Sequence, residues 1–190
     1  MRSVFELDRY VIRRKILVLF GASFHVYDGD RVVAFAKQRA FKVREDIRIH
    51  ADESQMRELL AIRARNVLDF AAAYDVVDPA TGEKVGAARR RGFRSLLRDS
   101  WEVLDAHDRP IAKVEEDSPT MALLRRFASN LIPQTFHLSV PGEARPVEFR
   151  QHFNPWVYRL EVSIPRGCSL DRRLILGVAS LLAAIEGRQD

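Results

Sequence analysis

Residues 171–187, "DRRLILGVASLLAAIEG", decide the fold. Asp171, with Ser169 nearby, can cap the start of a helix, and Gly187 can end it. Between them Leu174, Ile175, Leu176, Val178, Leu181, Leu182 and Ile185 fall on every side of a 3.6-residue turn. A helix that is apolar all round must be enclosed all round. Lipid does not suit it. The uncharged run 174–185 rises about 18 Å, whereas a bilayer core takes roughly 20 residues. The remainder of the chain therefore has to wrap it, while Gly177, Ala179, Ala183 and Ala184 keep the rod slim. At ~25 cal/mol per Å² its burial contributes about 10–20 kcal/mol as an upper bound.

The wall reads as strands. Trp156, Tyr158, Leu160, Val162 and Ile164 share one face, with Arg159, Glu161 and Ser163 on the other. Phe136, Leu138 and Val140 alternate with His137 and Ser139. "PGEARP" turns the chain, and Val147 and Phe149 then point in while Glu148 and Arg150 point out. Period-two alternation marks strands with one buried face. Further upstream one phrase returns four times: "SFHVYDGDRVVAFAKQ" (23–38), "DIRIHADESQMRELLAIRAR" (46–65), "AYDVVDPATGEKVGAARR" (73–90) and "SWEVLDAHDRPIAKVEED" (100–117). Each begins with alternating apolar residues: Phe24 and Val26, Ile47 and Ile49, Tyr74 and Val76, Trp101 and Val103. Each run ends at an acid, Asp28, Asp52, Asp78 or Asp105, which favours a turn by accepting backbone hydrogen bonds; Gly29 and Gly82 supply positive φ. A second strand returns through Val33 and Phe35, Leu60 and Ile62, Val85 and Ala87, or Ile111 and Val114. Each phrase is a β-hairpin.

With one more strand near 10–18, the runs sum to about twelve. We expect a mainly β, closed antiparallel barrel of ~12 strands around a central helix at about 171–186. It forms a single domain over 1–190, with its core at about 8–186. "RRKILVLFGASF" (13–24) has the look of a signal peptide. Yet Glu6 and Asp8 precede it and no small-residue cleavage site follows, so it reads as two strands. "SPTMALLRRFASNLIP" (118–133) reads as a short amphipathic helix, capped by Ser118 and stopped by Pro133.

Chemistry is sparse. Cys168 is the single cysteine, which excludes an internal disulfide and a cysteine metal cluster and suits a reducing, cytoplasmic setting. His25, His50, His107, His137 and His152 are scattered without metal-ligand spacing. No GxSxG elbow, P-loop or GxGxxG appears. Asp28-Gly29-Asp30 and the pair Asp105 and Asp108 lack the closing Glu of a calcium loop. Glu115-Glu116-Asp117 ends a hairpin, its neighbours facing opposite ways. The expectation is a non-enzyme with no cofactor and no metal. Lys and Arg total 31 against 26 Asp and Glu, for a net charge of +5, so anionic partners suit the chain. The best candidate surface is "KVGAARRRGFRSLLR" (84–98), which holds Lys84, Arg89, Arg90, Arg91, Arg94 and Arg98 and no acid. Guanidinium groups grip phosphate by paired hydrogen bonds. Arg89 and Arg91 should face one way and Arg90 the other, with Gly92 bending the chain so that Arg94 and Arg98 reach the same rim. Nucleic acid is the weaker alternative, because only Phe93 interleaves with the basic run.

Hairpins ending in Asp, "GEKVGAARR", "DRPIAKVEED" and the last apolar helix resemble the LURP-one-related and phospholipid scramblase families. Both are similar to the Tubby C-terminal domain, a closed twelve-stranded barrel threaded by its C-terminal helix. The resemblance covers about residues 8–186 and points to short bacterial proteins of this group. The proline-rich leader, palmitoylated cysteine cluster and acidic calcium segment of scramblases are not in this sequence, so calcium-driven scrambling is not expected. Tubby domains hold phosphoinositide headgroups with basic residues on the barrel. By resemblance, the run 84–98 is a local counterpart for an anionic membrane surface or a phosphorylated ligand, with the protein peripheral at the membrane and without a transmembrane span.

Overall fold

In a computed structural model, which describes residues 3–15, 22–38, 46–65, 73–90, 100–117, 134–152, 154 and 157–185, helix α1 (Arg172–Ile185) is enclosed by a closed barrel. Twelve antiparallel strands build the wall: β1 (Arg9–Lys15), β2 (Ala22–Asp28), β3 (Arg31–Gln38), β4 (Asp46–His50), β5 (Glu58–Ala64), β6 (Ala73–Val77), β7 (Lys84–Arg90), β8 (Ser100–Leu104), β9 (Pro110–Glu116), β10 (Thr135–Ser139), β11 (Val147–His152) and β12 (Val157–Ser163). They follow one another around the ring in chain order, and β1 closes on β12 from Arg9 opposite Ser163 to Lys15 opposite Val157. Closure leaves no unpaired strand edge. The expected helix at 118–133, the run 16–21, Trp156 and Gly187 lie outside the described residues.

The rod is buried from Leu174 through Ala184. It meets strands β1, β5, β6, β7 and β12 and the 3-10 turn Val4–Glu6. Its two ends are tied differently. At the start, the Asp171 carboxylate accepts the Arg173 backbone N–H (2.8 Å) and its carbonyl accepts those of Leu174 and Ile175, so Asp171 is the cap. Ser169 instead donates to Glu143. Arg172 and Arg173 sit badly against the positive end of a helix dipole. Acids of the wall answer them: Asp8 accepts from Arg172 (2.8 Å), and Asp78 accepts from Arg173 (2.9 Å). At the finish, Arg14 reaches inward from β1 and donates to the carbonyls of Ala183 (3.3 Å) and Ala184 (3.5 Å), serving groups that no helical turn can reach.

The hairpin turns behave as their acids predict. Asp52 accepts from Ser54 N–H (2.9 Å), Asp78 from Ala80 N–H (2.9 Å), and Asp105 from the N–H groups of His107 (2.8 Å) and Arg109 (2.9 Å). Gly29 and Gly82 adopt φ of +60° and +72°. The return strands agree with expectation at Val33, at Leu60 and Ile62 in β5 and at Val114 in β9, all of them core residues, and differ elsewhere. Ala34 and Ala36 in β3, Gly86 and Ala88 in β7, and Ala112 in β9 turn toward the core, whereas Phe35 and Ala87 lie on the outer face. All four hairpins carry one extra residue in the return strand just after the turn, at Val33, Leu59, Val85 and Ile111. One extra residue there reverses the face of everything after it. In β7, which the rod meets, small Gly86 and Ala88 result.

That closeness is testable at two glycines. A Cβ on Gly86 would lie 2.5 Å from the Leu104 carbonyl oxygen, a backbone atom, while one on Gly177 would lie 2.8 Å from a Val76 methyl. Gly86→Ala should cost about 1–3 kcal/mol. Gly177→Ala should cost less, because valine can yield and alanine adds about 1 kcal/mol of helix propensity. Urea unfolding of the two variants measures the order, and the reverse order would refute these contacts. Ser180 is the one polar side chain between Leu174 and Ala184, fully buried with no hydrogen-bond partner. Ser180→Ala should therefore raise stability by about 1 kcal/mol in the same measurement.

Candidate functional site

The basic run begins in β7, whose direction separates its members. Lys84 opens the strand at the α1-start end, and Arg89 and Arg90 close it at the other, about 20 Å away at ~3.3 Å per residue. Lys84 therefore does not share a rim with Arg90. Arg91, Arg94 and Arg98 lie outside the described residues.

Each described member is already engaged. The Lys84 ammonium lies 2.7 Å from Asp108 and 3.5 Å from Asp75. Arg65 binds the same two carboxylates, meeting Asp75 at 2.7 Å and Asp108 as well. The β8–β9 turn is thus folded back onto the outer wall, with Asp108 in a left-handed conformation at φ +64°. The Lys84 and Arg65 hydrogen bonds hold the Asp108 carboxyl below the usual carboxylate range. Leu104 and Ala87, on the outer face yet buried, sit on this part of the wall in register with each other. The cluster is a polar cover over an apolar outer patch.

Arg89 points outward, as alternation predicts, and holds the buried Glu102 on β8 through Nη2 at 2.6 Å and Nε at 3.1 Å. Arg90 takes the opposite, inward register at the end of β7. Its guanidinium carbon lies 5.9 Å from the ring centre of Trp101, a 1% exposed core residue. The run is therefore a set of structural ties in β7, continued by three arginines beyond it.

What sequence reasoning missed is the acid supply. Asp75 comes from β6 of the same hairpin and Glu102 and Asp108 from the next one; the signal available was the outward parity of Asp75 and Glu102 in neighbouring strands, and none for Asp108, which lies in a turn.

Enzyme-like groupings are sparse. Among the described residues no three His, Cys, Asp or Glu side chains are placed to hold a metal ion. His25, His137 and His152 each lie against one carboxylate, Glu53, Asp117 and Glu161 respectively. An open hollow of about 710 Å³ lies where the β10–β11 turn meets the β12–α1 connection, between Glu143, Arg145, Arg166 and Cys168. Burial, and then the nearby Glu143, push the Cys168 thiol up, which keeps it protonated. Among the described residues no helix is long and apolar enough to cross a membrane.

The Arg89–Glu102 tie is open to a direct test. Arg89→Ala should destabilise by about 1–3 kcal/mol by leaving a buried carboxylate without that guanidinium. Adding Glu102→Gln should recover much of the loss, and a denaturant double-mutant cycle measures it. A neutral Arg89→Ala would show that the pair carries no stability. No family model matches the chain, and no curated protein matches it in sequence.

Proposed function

We propose that the protein is a non-catalytic binding barrel that docks on phosphate-rich anionic surfaces, above all acidic phospholipid, with the barrel end at which α1 finishes. The carrying observation is the division of the connections between the two ends. At the α1-start end lie five hairpin turns; acids outnumber Lys and Arg in 28–31, 51–57, 78–83 and 105–109, and Glu143 balances Arg145 in 140–146. From the α1-finish end leave the connections 39–45, 91–99 and 118–133. They hold eight bases, Arg39, Lys42, Arg44, Arg91, Arg94, Arg98, Arg125 and Arg126, against the acids Glu45 and Asp99, with Asp69 in the further connection 66–72, and the bases are interleaved with Phe41, Phe93, Leu96, Leu97, Leu123, Leu124 and Phe127.

Such a molecule is electrically polar along its axis, and an acidic surface orients it basic end first. Arginine with neighbouring apolar residues suits a headgroup layer, where the cation meets phosphate and the ring or alkyl group enters the acyl boundary. Arg91, Arg94 and Arg98 carry the binding in this reading, and Arg90 anchors the end of β7 behind them. Lys84 and Arg89 belong to the scaffold, since their charges are answered by Asp108 and Glu102. The resemblance to LURP-one-related, scramblase and Tubby-like barrels supports the same ligand chemistry.

Co-sedimentation with vesicles tests this. Binding should require acidic lipid, fall steeply with salt, and weaken roughly a hundredfold at low salt when Arg91, Arg94 and Arg98 become Ala together, at about 1 kcal/mol each. Equal pelleting with neutral vesicles, or an unaffected triple variant, would discard the proposal. A steep salt slope in a gel shift without any vesicle binding would instead favour nucleic acid.

A further inference from the structure

The opposite wall of the barrel carries a second basic group, whose two arginines meet no carboxylate among the described residues. In register across four adjacent strands stand His25 (β2), Arg13 (β1), Arg159 (β12) and His152 (β11). All four face outward, because their neighbours Phe24, Ile12, Tyr158 and Leu160 are core residues. In the ring β1 lies across from β7, so this wall is far from Lys84, Arg89 and Arg90.

Arg13 and Arg159 are directly opposite each other, which brings their Cβ atoms to roughly 5 Å and sets two like charges side by side. Both side chains are half-buried. Nearby acids are engaged elsewhere. Glu161 accepts from Arg9 (2.6 Å) and lies 2.8 Å from His152, Glu148 holds Arg150 (2.9 Å), and Glu53 is 2.5 Å from His25. No carboxylate pairs with Arg13 or Arg159 among the described residues. Arg13 is also pre-oriented: its guanidinium carbon stacks 4.2 Å from the Tyr27 ring centre, and its Nε is buried without a hydrogen-bond partner. A guanidinium lying flat on a ring keeps its in-plane donors free at the edge.

A half-buried, unanswered, doubly charged site costs free energy that an anion removes. One tetrahedral phosphate presents enough acceptors for both forks. We infer that Arg13 and Arg159 form a phosphate-group site on the β1–β12 wall, with Tyr27 fixing the first fork and His25 and His152 as its flanks. The group belongs either to a soluble phosphate compound or to a lipid headgroup. This site lies on the outer wall near the α1-finish end and uses none of the arginines of the end-on surface proposed above.

Thermal melting of the full chain in inorganic phosphate, against chloride at equal ionic strength, tests it, with 31P line broadening as a direct binding readout. Phosphate should raise the midpoint, as a ligand of the native state does. Arg13→Gln and Arg159→Gln should each weaken phosphate binding about tenfold or more, while Arg150→Gln, whose guanidinium is held by Glu148, should leave it intact. Arg159→Gln should also melt no lower than the parent protein in chloride, since it relieves repulsion. No rise over chloride, or a full rise retained in Arg159→Gln, would overturn the site. Pelleting on phosphatidic-acid vesicles separates the sources. Loss of pelleting in Arg159→Gln assigns the group to a headgroup, and unchanged pelleting with loss of the soluble effect assigns it to a free phosphate compound. Because Arg91, Arg94 and Arg98 remain in these variants, failure here is distinguishable from failure of the end-on surface.

Discussion

The structure depends on the enclosure of one apolar rod. Leu174, Ile175, Leu176, Val178, Leu181 and Leu182 have no polar side among them, so α1 gains from a wall in every direction and loses wherever water reaches it. A twelve-stranded ring supplies that wall, and the rod in turn fills a bore that the wall's own side chains would leave hollow. Neither part is a stable answer without the other. Backbone proximity sets the composition of the interface. Gly177 against Val76 and Gly86 against Leu174 and the Leu104 carbonyl are places where one extra carbon already collides.

Enclosure creates a second problem at the two ends, where helix groups meet no further turn. At the start the solution is local, an Asp171 cap, but the adjacent arginines need acids from distant hairpins. At the finish a single β1 side chain, Arg14, reaches the last carbonyls. The rod's axial position is thereby fixed by ionic and hydrogen-bonding groups, since its greasy flank is nearly uniform along its length. The same acids answer the two arginines at the positive end of the helix dipole.

Charge on the outer wall falls into two kinds. Lys84, Arg65 and Arg89 meet carboxylates within hydrogen-bonding distance and hold hairpins against one another. Arg13 and Arg159 meet none, although equally outward and on neighbouring strands. A count of basic residues along the chain treats both kinds alike. Only the neighbours that the sheet brings alongside separate scaffold from surface available to a ligand, because the field of an answered charge falls off within a few ångströms while that of an unanswered pair does not.

The sequence by itself determined the strands, the four Asp-ended hairpins, the central helix and the closed wall. Each rests on short-range periodicity, turn chemistry or the all-round apolarity of residues 174–185. It did not determine which residues of β3 and β7 face the core, because one extra residue in the return strand just after the turn reverses the alternation and leaves no mark in composition. Nor did it show that Lys84 and Arg89 are answered by Asp108 and Glu102, or that Arg13 faces Arg159 across 146 positions of chain. Strand register and ring closure decide those pairings, and both are set by how the whole wall fits around the rod.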